Sequence, residues 1–205
     1  MSYLEDTNYA ASSLIDLITQ QQIALDKTKE ELSGLMKKFK HYHWDYTTSD
    51  LNDDFSEAHV MNAFHNMAKS KTHVDELEAI KLNLEATIGS EQLAIQALAG
   101  ALLQIAKQGI SVVHGGLQNA PDGRQVDGVE LKNLVWQARN QALHFEDGSF
   151  SQHVNAVFST LQQTHGAKFD LSVKPSASLA KQVVYLLGWN KIDAYKDDMK
   201  SLGLA

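Results

Sequence analysis

Apolar residues recur along this chain every three or four positions, which is the spacing of helices rather than of strands. The first such region, from about Ala10 to Tyr42, predicts a long amphipathic helix. We expect its buried stripe to contain Leu14, Leu17, Ile18, Leu25, Leu32, Leu35, Met36 and Phe39.

The same periodicity predicts helices along the middle of the chain. A short helix capped by Asp54 or Ser56 is predicted to end at about Lys69, and a long helical region follows from Val74 to Val113. A break is expected near Gly89, because glycine is a poor helix former. The stretch Leu93 to Ile110 is apolar on most sides, so we expect it to be the central core helix.

The last third of the chain alternates between loops and short helices. Four glycines and Pro121 predict a loop over residues 114–128, and residues 170–173 are a candidate extended segment. Helices are predicted over about 129–146, Gln152 to His165, Ser178 to Gly188 and Ile192 to Leu202. The pattern therefore predicts an all-α fold, a helical bundle with additional N-terminal helices, in a single domain over residues 1–205.

Composition narrows the chemistry of this bundle. Cysteine is absent, which excludes disulfides, thiolate zinc sites and a cysteine nucleophile. The net charge of -7 argues against a surface that binds nucleic acid everywhere, although a local basic site is compatible with it. Arg124 and Arg139 are the two arginines, and arginine is the better bidentate phosphate ligand, so their positions are informative.

The chain shows no sign of a secretory leader or a membrane span. Residues Met1 to Leu14 are polar and acidic, unlike a signal peptide. No unbroken apolar run reaches the roughly 18 residues that a transmembrane helix needs. We therefore expect a cytoplasmic protein.

The helix over residues 129–146 has two distinct faces. Its expected core face contains Leu131, Leu134, Val135, Ala138, Ala142 and Phe145. Trp136, Asn140 and His144 follow one another at i, i+4 and i+8 on the far side, and Arg139 lies about 140° around the helix from His144. A tryptophan on that side calls for a cover, and a two-fold homodimer with Trp136 in its interface supplies one.

On this helix, Arg139-Asn140, three further residues and His144 resemble the signature of the HEPN superfamily of ribonucleases. The resemblance implies a dimeric helical protein that cleaves RNA through the ribose 2′-hydroxyl, with no metal or other cofactor. His144 is then the acid–base group, Arg139 holds the scissile phosphate and Asn140 orients its neighbours. The resemblance also suggests a toxin or phage-defence effector, with an antitoxin or other regulatory protein as a partner.

Other clusters carry weaker signals. His41, Tyr42, His43 and Trp44 are interpreted as a surface or packing cluster, since histidines at i and i+2 do not converge on a metal. The histidines and acids at Glu57, His59 and His65 likewise lack metal-ligand spacing. Arg124, in the glycine-rich loop, is a candidate substrate-binding residue beside the RNA cleft.

Two further functions remain open at this stage. The chain is alternatively a non-catalytic HEPN-like module that binds a nucleotide or a protein, or a structural bundle with a chance motif. The intact Arg139, Asn140 and His144 favour the ribonuclease, whereas the acidic balance of the chain favours the other two.

Overall fold

The computed structural model describes residues 2–48, 57–173 and 176–205, and within them the fold is all-α, as predicted. The expected caps Asp54 and Ser56 lie outside the described residues. The α-helices of the described part are α1 (Tyr3–Thr48), α2 (Glu57–His114), α3 (Leu131–His144), α4 (Gln152–His165), α5 (Ala180–Leu186) and α6 (Ile192–Ser201). The described residues also form short 3-10 helices at Leu117–Asn119, Phe145–Asp147 and Gly166–Phe169.

The two long helices are longer than the pattern predicts. α2 is continuous through residues 70–73 and through Gly89, so both expected breaks are wrong. A glycine inside a helix costs only about 1 kcal/mol relative to alanine, which neighbouring turns offset. Ion pairs at i and i+4, Lys71 with Asp75 and Lys81 with Glu85, add support to this part of α2.

Contacts divide the chain into two compact units, whereas the helical pattern predicts a single domain over residues 1–205. One unit, Gln22–Gln92, contains the later part of α1 and the earlier part of α2. In it the Thr28 hydroxyl donates to Glu91 at 3.3 Å, and the rings of Tyr42 and His73 lie 4.8 Å apart. The aromatic contact of Tyr42 agrees with the packing role expected for its cluster.

The other unit comprises Met1–Gln21 and Leu93–Ala205. The expected core helix is confirmed there, because α2 buries Ile95, Ala99, Leu102, Leu103, Ala106 and Ile110 completely. Tyr3 lies against α2 at Gly109, where a β-carbon would be 2.6 Å from the tyrosine ring. The Tyr3 hydroxyl then donates to the Ile105 carbonyl at 2.8 Å, which fixes the start of α1 on the core helix.

The glycine-rich loop contains a small antiparallel hairpin that the helical pattern did not reveal. Strands β1 (Gln125–Val126) and β2 (Val129–Glu130) are joined by Asp127 and Gly128, whose φ angles are 48° and 84°. An Asp-Gly pair with two positive φ angles is typical of tight hairpin turns. The Asp122 and Arg124 carbonyls accept from the first amides of α3, so the loop sets where α3 begins.

The predicted extended segment at residues 170–173 is instead a turn. The Asp170 carboxylate accepts hydrogen bonds from the amide and the hydroxyl of Ser172. These bonds stabilise the ionised form and hold the pKa of Asp170 below its usual value. The side chain thereby competes with strand formation, as aspartate often does in turns.

One part of α2 meets the length and composition expected of a membrane span. It lies within Phe64–His114, and 39% of its most apolar window is buried inside the protein. The core helix of a soluble protein meets the same criterion, so the feature does not distinguish the two cases. The cytoplasmic location stays a prediction.

Candidate functional site

Helix α3 carries the Arg139, Asn140 and His144 motif, and its buried face differs in part from the predicted one. Leu131, Leu134, Val135 and Ala138 are buried as expected, but Ala142 and Phe145 are only half-buried. Two glutamines, Gln137 and Gln141, are buried instead. The periodicity of apolar residues could not reveal them, because both are polar.

Gln141 is completely buried, and both polar atoms of its side-chain amide have a hydrogen-bond partner. Its Nε2 donates to the Ala177 carbonyl and its Oε1 accepts from the Leu179 amide, both at 2.8 Å. Gln141 therefore ties α3 to the segment that leads into α5. This residue of the motif segment has a structural role rather than a chemical one.

Helix α2 lies along α3 in the opposite direction, through a line of contacts that we call the α2–α3 seam. A β-carbon at Gly100 would lie 3.9 Å from Ala142 Cβ. Gln104 contacts Arg139, and the Lys107 ammonium lies 4.3 Å from the centroid of the Trp136 ring. Residue numbers increase along α2 as they decrease along α3, so these contacts join residues that are 29 to 42 positions apart in the sequence.

Arg139 is held in place by uncharged side chains only. Its Nε donates to Gln104 Oε1 at 2.5 Å, and its Nη1 donates to Asn140 Oδ1 at 3.3 Å. The Asn140 amide donates in turn to Gln137 Oε1 at 3.4 Å. Among the residues that the structure describes, no carboxylate lies within ion-pair distance of Arg139, and no partner occupies Nη2. The guanidinium is thus oriented but not neutralised.

His144 occupies the exposed end of α3. Its side chain is 58% exposed, and its Nδ1 lies 3.4 Å from Asp147 Oδ2 in the following 3-10 helix. Its Nε2 has no hydrogen-bond partner among the described side chains. Asp147 is therefore placed to orient the imidazole and leave Nε2 accessible.

The structure does not bring Arg139 and His144 together within one chain. Arg139 turns toward α2, whereas His144 pairs with Asp147 beyond the end of α3. This agrees with their predicted separation of about 140° around an ideal helix. A single chain thus presents the two groups on different sides of α3, and they do not converge on one point.

Trp136 is partly covered from within its own chain. The side chain is half-buried, and Lys107 of α2 lies over its ring. The α2–α3 seam therefore supplies part of the cover that we expected for this tryptophan. Its place in a dimer interface stays a prediction.

Arg124 forms a different kind of contact from Arg139. Its Nε and Nη2 donate to the two carboxylate oxygens of Asp198 at 2.7 and 3.0 Å, and Nη2 also donates to the Leu187 carbonyl. The Trp189 indole donates to the same carboxylate at 2.8 Å. The bond to Asp198 raises the pKa of Arg124, which stays fully charged. Because this fork is occupied, we do not include Arg124 in the candidate site.

The candidate site has no feature of a metal centre. Within residues 2–48, 57–173 and 176–205, no three His, Asp or Glu side chains come close enough to hold an ion. Glu57 and His59, weighed above as ligands, have side chains outside the described set, and His65 is exposed on α2.

No protein family, curated protein or solved structure matches the chain. Its function is therefore argued from the site alone.

Sequence reasoning missed the residues that orient the motif. Gln104 and Lys107 contact the motif from α2, a different helix. Gln137 lies on α3, but the sequence pattern assigned it to neither the core face nor the far side of that helix. No spacing rule links positions 104 and 139, since the contact depends on how two helices pack. The sequence indicates only that α3 has an apolar face and that residues Leu93 to Ile110 of α2 are apolar on most sides, so both helices must pack against something.

Replacing Arg124 with methionine tests its structural role. We expect a loss of about 2–4 kcal/mol in the free energy of unfolding, because the Asp198 carboxylate is 5% exposed and loses its cation. Urea denaturation followed by circular dichroism measures the loss. If Arg124→Met leaves the free energy of unfolding unchanged and weakens RNA binding, Arg124 is a substrate-binding residue and the structural role is wrong.

Proposed function

We propose that this protein is a metal-independent endoribonuclease of the HEPN type that cleaves RNA through the ribose 2′-hydroxyl. The observation that carries this proposal is Arg139, a guanidinium oriented by Gln104 and Asn140 and neutralised by no described carboxylate. Structural arginines pair with acids, as Arg124 does with Asp198. An oriented arginine with uncompensated charge suits an anionic ligand, and a backbone phosphate is such a ligand.

The chemistry needs only the groups that α3 presents. An imidazole acting as a base takes the proton from the 2′-hydroxyl, and the 2′-oxygen attacks the adjacent phosphorus. The bond to the 5′-oxygen breaks, and that oxygen leaves with a proton from an acid. The products are a 2′,3′-cyclic phosphate and a 5′-hydroxyl. Arg139 stabilises the charge that builds on the phosphate oxygens, while His144 exchanges the protons.

A homodimer would supply the groups that one chain keeps apart. Arg139 and His144 have separate partners in one chain, so the second imidazole and guanidinium come from a second copy of α3. In this proposal the half-buried Trp136 lies in the dimer interface, beside Lys107 of its own chain. We extend the proposal to a cytoplasmic toxin or phage-defence effector controlled by an antitoxin or another regulatory protein.

The separation of His144 from Arg139 also favours a second candidate, a non-catalytic module that binds nucleotides. In that case Arg139 binds phosphate and His144 takes no part in a reaction. The two candidates differ in one outcome, since the module binds RNA and leaves it intact.

Alanine variants of the motif test the assigned roles. We expect His144→Ala to lower the cleavage rate by about 10²–10⁴, because it removes an acid–base group. Arg139→Ala should be comparably damaging, and Arg139→Lys should restore little, since an ammonium cannot fork onto a phosphate. Asn140→Ala should have a milder effect. Gel analysis of a labelled RNA gives the rates, and circular dichroism verifies folding.

His153 provides a matched control, since it is an exposed histidine at the start of α4 and is not part of the motif. His153→Ala should cleave at the wild-type rate. Equal rates for wild type, His144→Ala and Arg139→Ala would show that the motif is not the active site. Tight RNA binding without cleavage by the wild type would favour the binding module.

Cleavage is expected to continue in excess EDTA. The proposed step uses an imidazole and a guanidinium, neither of which requires a divalent ion. The measurement compares initial rates with and without chelator at constant ionic strength. Loss of activity that is restored by a divalent ion would contradict the mechanism.

A further inference from the structure

The α2–α3 seam carries a second cation, Lys107, one helical turn beyond Gln104. Its ammonium lies over the Trp136 ring, 4.3 Å from the ring centroid, and the residue is half-buried. Gln104 and Lys107 face Arg139 and Trp136 respectively, so the two contacts are neighbours on the same seam. The seam therefore presents an ammonium beside the motif guanidinium.

The charge of Lys107 has no compensating acid. Within the described part of the chain no carboxylate lies at ion-pair distance from it, whereas Lys132 pairs with Asp122 at 2.6 Å and Lys200 with Asp197 at 3.3 Å. An aromatic face attracts a cation without neutralising it. Trp136 thus holds the lysine stem in place and leaves the ammonium able to bind an anion.

The order of side chains along α3 defines where Lys107 lies relative to Arg139 and His144. Trp136 precedes Arg139 by three residues, and His144 follows Arg139 by five. Lys107, over Trp136, is therefore about one helical turn from the Arg139 position, on the side away from His144. A nucleic-acid strand that places one phosphate at Arg139 and extends away from His144 brings its next phosphate toward Lys107.

We propose that Lys107 binds the RNA backbone phosphate adjacent to the scissile one, with Trp136 as its positioning residue. This inference rests on the proposed ribonuclease function and adds a second phosphate subsite to it. In a protein of net charge -7, two neighbouring cations with no acidic partner among the described residues give the strand a local attractive surface. Lys107 contributes affinity and register, and takes no part in bond cleavage.

The subsite is tested by binding rather than by cleavage. The probe is a short fluorescein-labelled 2′-O-methyl RNA, which lacks the attacking hydroxyl, and anisotropy gives Kd at several salt concentrations around 0.1 M. Lys107→Met, which keeps the length of the stem, should weaken binding about three- to tenfold. The slope of log Kd against log salt should fall by about 0.7, the loss of one phosphate contact on a single strand.

Two further variants separate a phosphate contact from a packing effect. Lys107→Arg keeps a cation over Trp136 and should restore the salt slope. Lys168→Met is the matched control, because the Lys168 ammonium also lies over a ring, 5.7 Å from the Phe169 centroid, away from the motif helix. It should bind the probe like the wild type.

The outcomes distinguish the subsite from the function on which it rests. If Arg139→Ala weakens binding while Lys107→Met keeps the wild-type Kd and slope, the subsite is wrong and the ribonuclease proposal stands. A lower affinity for Lys107→Met with an unchanged slope would also overturn it, as a packing effect. If the wild type does not bind the probe, both proposals fail.

Discussion

The hydrogen bond from Arg139 Nε to Gln104 Oε1 is the interaction on which the candidate site depends. It fixes the guanidinium from one side, and Asn140 Oδ1 fixes it from another. Both acceptors are neutral, so orientation is gained without loss of charge. An oriented charge is worth more to a phosphate than a mobile one, because little conformational entropy is lost on binding.

The two arginines show how the choice of partner separates structure from function. Arg124 meets the carboxylate of Asp198, which also accepts from the Trp189 indole, and together they join the hairpin loop to α6. Arg139 meets amides, and its charge remains available at the surface of the seam. The loop anchored by Arg124 also sets the start of α3, so the structural arginine helps to place the functional one.

Local sequence patterns predicted the features of the fold that depend on residues close together in the chain. The helical class, the bounds of α4 and the buried stretch of α2 follow from periodicity and capping, and the structure confirms them. The continuity of α2 through Gly89 was not predictable, because one glycine is outweighed by many neighbouring turns. The hairpin at Asp127 and Gly128 had a signal in the Asp-Gly pair, but its strands are two residues long.

The candidate site was predictable only in its α3 half. Arg139, Asn140 and His144 follow from the motif, whereas Gln104 and Lys107 approach from α2 through helix packing. The burial of Gln141 could not be predicted, because a glutamine does not belong to the apolar pattern. Its side chain is buried because it forms hydrogen bonds with the Ala177 carbonyl and the Leu179 amide. Contacts between distant segments need a structure, since no spacing in the sequence encodes them.

The most direct measurement of the central claim places a carboxylate where Gln104 now stands. Gln104→Glu keeps the shape of the side chain but pairs the Arg139 guanidinium with an acid, which removes its excess charge. Gln108→Glu, at an exposed position one turn further along α2, adds the same charge and serves as the control. We expect Gln104→Glu to remain folded and to lose about 10²-fold or more in RNA cleavage rate, while Gln108→Glu stays near the wild type. A folded Gln104→Glu protein that cleaves RNA at the wild-type rate would contradict the claim that an uncompensated Arg139 is the basis of function.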